Sequence, residues 1–194
     1  MSINVSRAVA IPGYMAEKEL LWLAAQAARA PVIVEIGSWK GRSTRALGDH
    51  ALGTVFAVDH WKGQLRDPAA APTREIQVRC KGDGQMIRRE FDENLADLIK
   101  VRKVVPVDWN SQDGLPPTLV PFREKVDFLF IDGDHSYVGC RSDIETYGPL
   151  LRPGGILSGH DYNTQPRHAG VRRIVDELYA SRTQFCKTIW WVIQ

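Results

Sequence analysis

Three carboxylates and an imidazole, Asp132, Asp134, Asp161 and His160, stand in the blocks D-G-D-H (132–135) and G-H-D-Y (159–162), each just after an apolar run. If both runs are strands of one sheet, these side chains meet at adjacent strand ends. Like charges this close raise one another's pKa unless a cation bridges them, and a divalent metal would resolve the conflict. A second polar set begins at Glu35-Ile36-Gly37-Ser38-Trp39-Lys40-Gly41 and continues with Asp59-His60 and Asp108-Trp109. Gly37 and Gly41 bracket a turn from strand to helix, where the missing Cβ permits positive φ and lets backbone N–H groups approach a ligand. Asp59 lies 22 residues after Gly37, a spacing at which a carboxylate accepts both hydroxyl protons of a ribose. The third glycine of G-x-G-x-x-G is missing, so a cofactor without a pyrophosphate fits this turn better than a dinucleotide.

The elements that must position these residues are legible as alternating patterns. Leu20, Leu21, Leu23, Ala24, Ala27 and Ala28 recur at helical spacing within Lys18 to Arg29, and Pro31 ends the segment. Short apolar, β-branched runs predict strands at Val32–Ile36, Thr54–Val58, Lys103–Val107, Val126–Ile131 and Ile156–Ser158, with one or two more in Phe185–Ile193. Pro153-Gly154-Gly155 reads as the turn that leads into Ile156. Helical spacing returns at Phe91, Leu95 and Leu98, at Ile144, Tyr147 and Leu151, and at Val171, Ile174, Val175 and Leu178. Continuously apolar strands alternating with helices indicate an α/β fold: a Rossmann-like, mostly parallel seven-stranded sheet with helices on both faces. In such a sheet the ligand crevice lies outside the carboxyl ends of the strands, where every polar cluster named above falls.

With 194 residues the chain reads as a single domain, 1–194, with an N-terminal helical segment at 1–31 and a lid-like insertion at 61–90. The insertion carries seven Lys or Arg against four Asp or Glu, and Arg167, His168, Arg172 and Arg173 form a second basic cluster. Each reads either as a contact for an acidic acceptor or as a solvated face. A net charge of +2, from 25 Lys and Arg against 23 Asp and Glu, gives no support to nucleic acid as a partner. No apolar run is long enough to span a bilayer, no signal-peptide core opens the chain, and three cysteines 60 and 46 residues apart suit reduced thiols, so a cytoplasmic protein is expected. A lid this short leaves room for a neighbouring copy to close the pocket, hence a possible homo-oligomer.

E-I-G-S-W-K-G-R-S-T with Asp59, F-I-D-G-D-H-S-Y, L-R-P-G-G-I-L-S-G-H-D-Y and the closing T-I-W-W-V together resemble a class I S-adenosylmethionine-dependent methyltransferase, of the small branch related to macrocin-type sugar O-methyltransferases. The resemblance spans about residues 32–193. It implies that Glu35, Gly37, Ser38, Gly41 and Ser43 surround the methionine moiety, Asp59 the ribose, and His60, Asp108 and Trp109 the adenine, with Asp132 at the cofactor edge. It also implies metal ligands at Asp132, His160 and Asp161, with a histidine where relatives more usually carry a carboxylate. That substitution weakens the case for magnesium and admits manganese or another transition metal. The implied reaction is metal-assisted methylation of a hydroxyl on a small molecule or sugar, with Asp134, His135 or His160 as candidate catalytic groups. Competing readings are a nicotinamide-dependent oxidoreductase, a non-catalytic nucleotide-binding module and a metal-dependent hydrolase. Trp39, Trp61 and Trp109 are expected to line the pocket, and Trp22, Trp190 and Trp191 to pack in the core.

Overall fold

The computed structural model describes residues 2–62 and 84–194. Its strands are β1 (Val32–Ile36), β2 (Thr54–Asp59), β3 (Val104–Asp108), β4 (Val126–Ile131), β5 (Leu151–Gly159), β6 (Gln184–Cys186) and β7 (Ile189–Ile193). Its α-helices, among the described residues, are α1 (Ser6–Ala10), α2 (Glu17–Ala27), α3 (Arg42–His50), α4 (Gly84–Lys100), α5 (Tyr137–Tyr147) and α6 (Ala169–Tyr179). Residues 84–90 of the expected insertion form the opening turns of α4, and the rest of it, 63–83, lies outside the described residues.

The strands join in one sheet of order β3-β2-β1-β4-β5-β7-β6. β1 to β5 run parallel, β7 returns antiparallel beside β5, and β6 pairs antiparallel with β7, so it runs in the direction of the first five. The chain proceeds outward from β1 in one direction to β2 and β3, then crosses back to β4 on the other side. The switch point therefore falls between β1 and β4, where ligands of open α/β sheets bind.

Alternation along β1 sorts its side chains between the two faces. Ile33 belongs to the core under α2, α3 and α4 with Leu23, Leu47, Phe91 and Phe128. Val34 and Ile36 belong to the opposite core with Leu129, Ile144, Ile174 and Trp190. Glu35 is completely buried on the face that would otherwise take another aliphatic residue.

Two expectations are corrected. Pro153-Gly154-Gly155 does not precede the fifth strand but lies inside it, as an irregularity between the Val126↔Leu151 and Phe128↔Ile156 pairings. Gly154 takes φ +76°, and its N–H reaches Gln194 O at 2.7 Å, so the bulge is held by the chain's last residue. The expected helix at Lys18 to Arg29 spans Glu17–Ala27, with α1 as an additional short helix before it. No helix among the described residues is long and apolar enough to cross a membrane.

Candidate active site at the carboxyl ends of the sheet

Three backbone hydrogen bonds bring the strand ends side by side. Gly37 N–H donates to Val58 O at 2.9 Å, Asp132 N–H to Ile36 O at 2.8 Å and His160 N–H to Ile131 O at 3.0 Å. The ladder thus continues one residue past β1, β4 and β5, and the polar residues that follow share one rim.

On the β1 side, Gly37 and Gly41 have φ of +86° and +87°. A Cβ on Gly37 would lie 2.2 Å from Asp132 O, and one on Gly41 would lie 2.9 Å from Leu95 Cδ1. The two glycines are thus required by backbone packing at the switch point and by the seating of α4, in addition to the turn itself. Inside the turn, Glu35 Oε2 accepts hydrogen bonds from Ser38 Oγ at 2.7 Å and Thr44 Oγ1 at 2.5 Å. Its second oxygen, Oε1, is buried and has no partner among the described residues. Burial pushes Glu35 up to about 7, against the pull of the Ser43, Thr44 and Ser38 hydroxyls and with a further push from Asp132.

Asp59, at the end of β2, ties two turns together: Trp39 N–H donates to Oδ2 at 2.8 Å and Trp61 N–H to Oδ1 at 2.6 Å. Burial raises its pKa, opposed by those N–H groups. His60 is half-buried, and its Nδ1 accepts from Lys62 N–H at 2.9 Å. Asp108 pairs in register with Asp59 and is exposed, while the half-buried Trp109 donates its indole N–H to Gly114 O at 2.8 Å.

Trp61 does not line a pocket. It is 2% exposed and packs against Phe91 with Arg88 over its ring, and its indole N–H donates to Trp39 O at 2.9 Å. Trp39 stacks on Tyr14, with ring centroids 5.9 Å apart.

On the β4 and β5 side, acids and imidazoles alternate. His160 Nδ1 lies 3.6 Å from Asp132 Oδ1 and 3.4 Å from Asp161 Oδ1. His135 Nε2 lies 3.5 Å from Asp132 Oδ1 and 3.2 Å from Asp161 Oδ2. Behind His160, Nε2 and Thr188 Oγ1 are 3.0 Å apart, and Thr188 Oγ1 donates to Glu19 Oε1 at 2.7 Å. An imidazole whose Nε2–H is spent on this relay presents Nδ1 to the acids, the arrangement that orients a metal-binding histidine. Burial opposes the charge on His160, but the charge of Asp132 and contacts to Asp132, Asp161 and Glu19 outweigh it and raise the imidazole to about 12. Burial likewise opposes ionisation of Asp132, and His160 and His135 reverse that, holding it below its ordinary value. Asp132, His160 and Asp161 each offer a ligand atom within 4.8 Å of the others, a donor set that fits a divalent cation. Asp161 holds this position at φ +62°. Asp134 is exposed, and its Oδ1 accepts from Ser136 N–H at 2.8 Å, at the start of α5.

A family model described as a methyltransferase domain matches residues 34–162, more than half of the chain. The chain belongs to this methyltransferase family. Solved structures share its fold at low identity. An O-methyltransferase from Bacillus cereus in complex with SAH superposes with a TM-score of 0.60 and 18% identity, covering 96% of this chain and 86% of that one. CalS11, a calicheamicin methyltransferase, gives 0.65 and 16%, covering 90% and 76%. TomG from Streptomyces achromogenes, an O-methyltransferase involved in tomaymycin synthesis and solved with SAM, gives 0.61 and 15%, covering 99% and 87%. The class I methyltransferase fold expected from the motifs is the fold observed.

Within this methyltransferase, Glu35, Gly37, Ser38, Gly41, Ser43 and Asp59 gather at the β1 and β2 ends, and Asp132, His135, His160 and Asp161 at the β4 and β5 ends. Several participants escaped sequence reasoning. Thr44 had a usable signal, since it directly follows Ser43. Glu19 and Thr188 had none: they come from α2 and from the turn before β7, and only the antiparallel return of β7 beside β5 brings Thr188 to His160. His168, read only as part of a basic cluster, is buried, with Nδ1 3.3 Å from Asp161 Oδ1.

Proposed function

We propose that the protein transfers a methyl group from S-adenosylmethionine to a hydroxyl oxygen of a small molecule or sugar, assisted by a divalent ion at Asp132, His160 and Asp161. The observation that carries this reading is Glu35 Oε1, a buried carboxylate oxygen at the switch point without a hydrogen-bond partner among the described residues. Leaving such an oxygen unpaired is costly, and a cationic ligand removes the cost. An amino-acid ammonium beside a sulfonium is a cation of that kind. Relatives of the same fold, described as O-methyltransferases and solved with SAH or SAM, support the same donor and an oxygen acceptor.

The cofactor supplies an electrophilic methyl group for in-line displacement, and the metal, when bound, supplies charge that acidifies a neighbouring hydroxyl. The chain does the rest. Glu35, held by Ser38 and Thr44, takes the ammonium end, with Gly37, Gly41 and Ser43 forming the wall of the turn. Each Asp59 oxygen uses one lone pair on a backbone N–H and keeps another for a ribose hydroxyl. His60, Asp108 and Trp109 flank the adenine end. Asp134 receives the hydroxyl proton: His160 has both ring nitrogens engaged, and His135 is wedged between Asp132 and Asp161. Asp134 instead stands exposed two residues before Ser136, the N-cap of α5, with Oδ1 accepting from Ser136 N–H.

Calorimetric titration with SAH and with NADH separates this function from an oxidoreductase: SAH is expected to bind and NADH not. Transfer of a labelled methyl group to hydroxylated acceptors then tests the reaction, and rigorous chelation is expected to abolish turnover while leaving SAH binding largely intact. Undiminished turnover after chelation would remove the metal from the mechanism.

A further inference from the structure

We propose that His135, Asp161 and His168 form a separate binding site for a first-row transition dication such as zinc or cobalt, next to the position at Asp132 and His160 and sharing Asp161 with it. The three residues each offer one ligand atom within 4.8 Å of the other two. His135 Nε2 lies 3.2 Å from Asp161 Oδ2, and His168 Nδ1 lies 3.3 Å from Asp161 Oδ1. The two rings meet edge to face with centroids 5.1 Å apart. The three residues come from three separate places on the rim: the loop after β4, the second residue after β5, directly following His160, and the turn that opens α6. His168 also lies beyond the residues matched by the family model, so this ligand set is not contained in the matched region.

His135 Nε2 is the atom that points to a ligand. It is shielded from solvent and makes no hydrogen bond among the described residues, with Asp161 Oδ2 and Asp132 Oδ1 at 3.2 and 3.5 Å as its nearest acid oxygens. An imidazole nitrogen shielded from water and without a hydrogen bond costs free energy even beside carboxylates, and coordination uses that nitrogen. His168 is 6% exposed, and its Nδ1 lies 2.8 Å from Asn163 Nδ2 and 3.2 Å from Asn163 Oδ1. Coordination through Nδ1 displaces this amide contact. Coordination through Nε2 keeps it, with Asn163 orienting the ring as an outer partner. Two imidazoles and one carboxylate suit zinc, cobalt or nickel, whereas magnesium prefers an oxygen shell. The position at Asp132, His160 and Asp161 has one more carboxylate and one fewer imidazole, so the two sites differ in the ion they prefer.

The test uses the metal-stripped full chain titrated calorimetrically with zinc, cobalt and magnesium chlorides, with His135→Ala, His168→Ala and Asp132→Asn in parallel and folding checked by circular dichroism. Zinc is expected to bind more tightly than magnesium, each histidine variant to weaken zinc by about 10–100-fold, and Asp132→Asn to retain zinc. Should either histidine variant fail to fold, cobalt(II) added to the unaltered protein is expected to broaden the ring resonances of both His135 and His168 at the first equivalent. Zinc affinity unchanged in both histidine variants, zinc no tighter than magnesium, or a cobalt titration that leaves His168 unaffected would overturn the proposal. SAH affinity, measured on the same samples, reports separately on the methyltransferase reading: its loss in the unaltered protein would sink that reading and leave the zinc result standing.

Discussion

The β1–β2 side of the crevice and the β4–β5 side both bury carboxylates, and they stabilise them in opposite ways. Glu35 is met by hydroxyls and Asp59 by backbone N–H groups, all neutral donors. Asp132 and Asp161 are met by the imidazoles of His135 and His160. The outcome differs in sign: burial takes Glu35 up to about 7, whereas Asp132 is held below its ordinary value. The neutral donors at Glu35 only partly offset its loss of bulk water, whereas the imidazoles beside Asp132 more than offset it. The first side is therefore short of positive charge and suited to a cationic cofactor. The second has supplied its own, so a metal entering there must displace protons from imidazoles.

Asp132→Ala should break the contrast most severely. Removing the carboxylate between His135 and His160 leaves their charges poorly compensated and deletes a metal ligand, and labelled methyl transfer is expected to fall by more than about 100-fold. Activity within a few-fold of the unaltered protein would show that the imidazole-rich side is structural.

Glu35→Gln attacks the other side. It keeps the shape and a hydrogen-bond acceptor but removes the charge, so SAH should bind about 10–100-fold more weakly, about 1.4–2.7 kcal/mol. Thermal stability should hold or rise, because the unpartnered ionised oxygen is gone. Equal SAH affinity in the two proteins would mean that the ammonium sits elsewhere.

Asp143 sharpens the comparison because it is a buried acid with neither kind of full compensation. Its Oδ1 accepts from Gln112 Nε2 at 2.8 Å, and its Oδ2 has no partner among the described residues. Burial, helped by Asp134, raises it to about 7, so the folded protein holds a proton that the unfolded chain releases. Its contribution is thus fully present below about pH 4, declines as the pH rises towards 7 and is flat above. Asp143→Asn should raise stability at pH 8 by about 2 kcal/mol and change it little at pH 4, as read by urea melts at the two pH values. An equal shift at both would refute the assignment of a buried proton.

The smallest effect is expected at Glu19. Burial opposes its ionisation, but His160, Thr188 and Ala16 bring it down to about 2, so its stabilisation is present above about pH 4.5 and lost as the pH falls towards 2. Glu19→Gln should cost about 1 kcal/mol at pH 7 and flatten the acid side of the stability curve. It should also weaken metal binding at His160, a change that a purely structural glutamate would not produce.

Much of this was legible in the chain. Val32–Ile36 and Val126–Ile131 were read to the residue, because a run of β-branched and aromatic residues covered on both faces has no other comfortable home. The polar blocks after each strand follow from the same logic, since a parallel sheet delivers every strand end to one edge. The failures share a cause. Trp61 looked like a pocket wall because it follows a strand end, yet a left-handed turn at φ +49° folds it back onto Phe91. Pro153-Gly154-Gly155 carried the local signal of a turn, and its place inside β5 depends on Gln194, far along the chain.

By itself the amino-acid sequence determined the alternation of strands and helices, the family, and which acids and histidines stand at the strand ends, because those properties depend on neighbours a few residues apart. Tertiary structure alone decided which imidazole faces which carboxylate, that Glu35 keeps an unspent oxygen, and that Glu19, Thr188 and His168 join the rim. Charge compensation is a through-space quantity in a low-dielectric interior, set by distances of a few ångströms between residues that chain order leaves far apart.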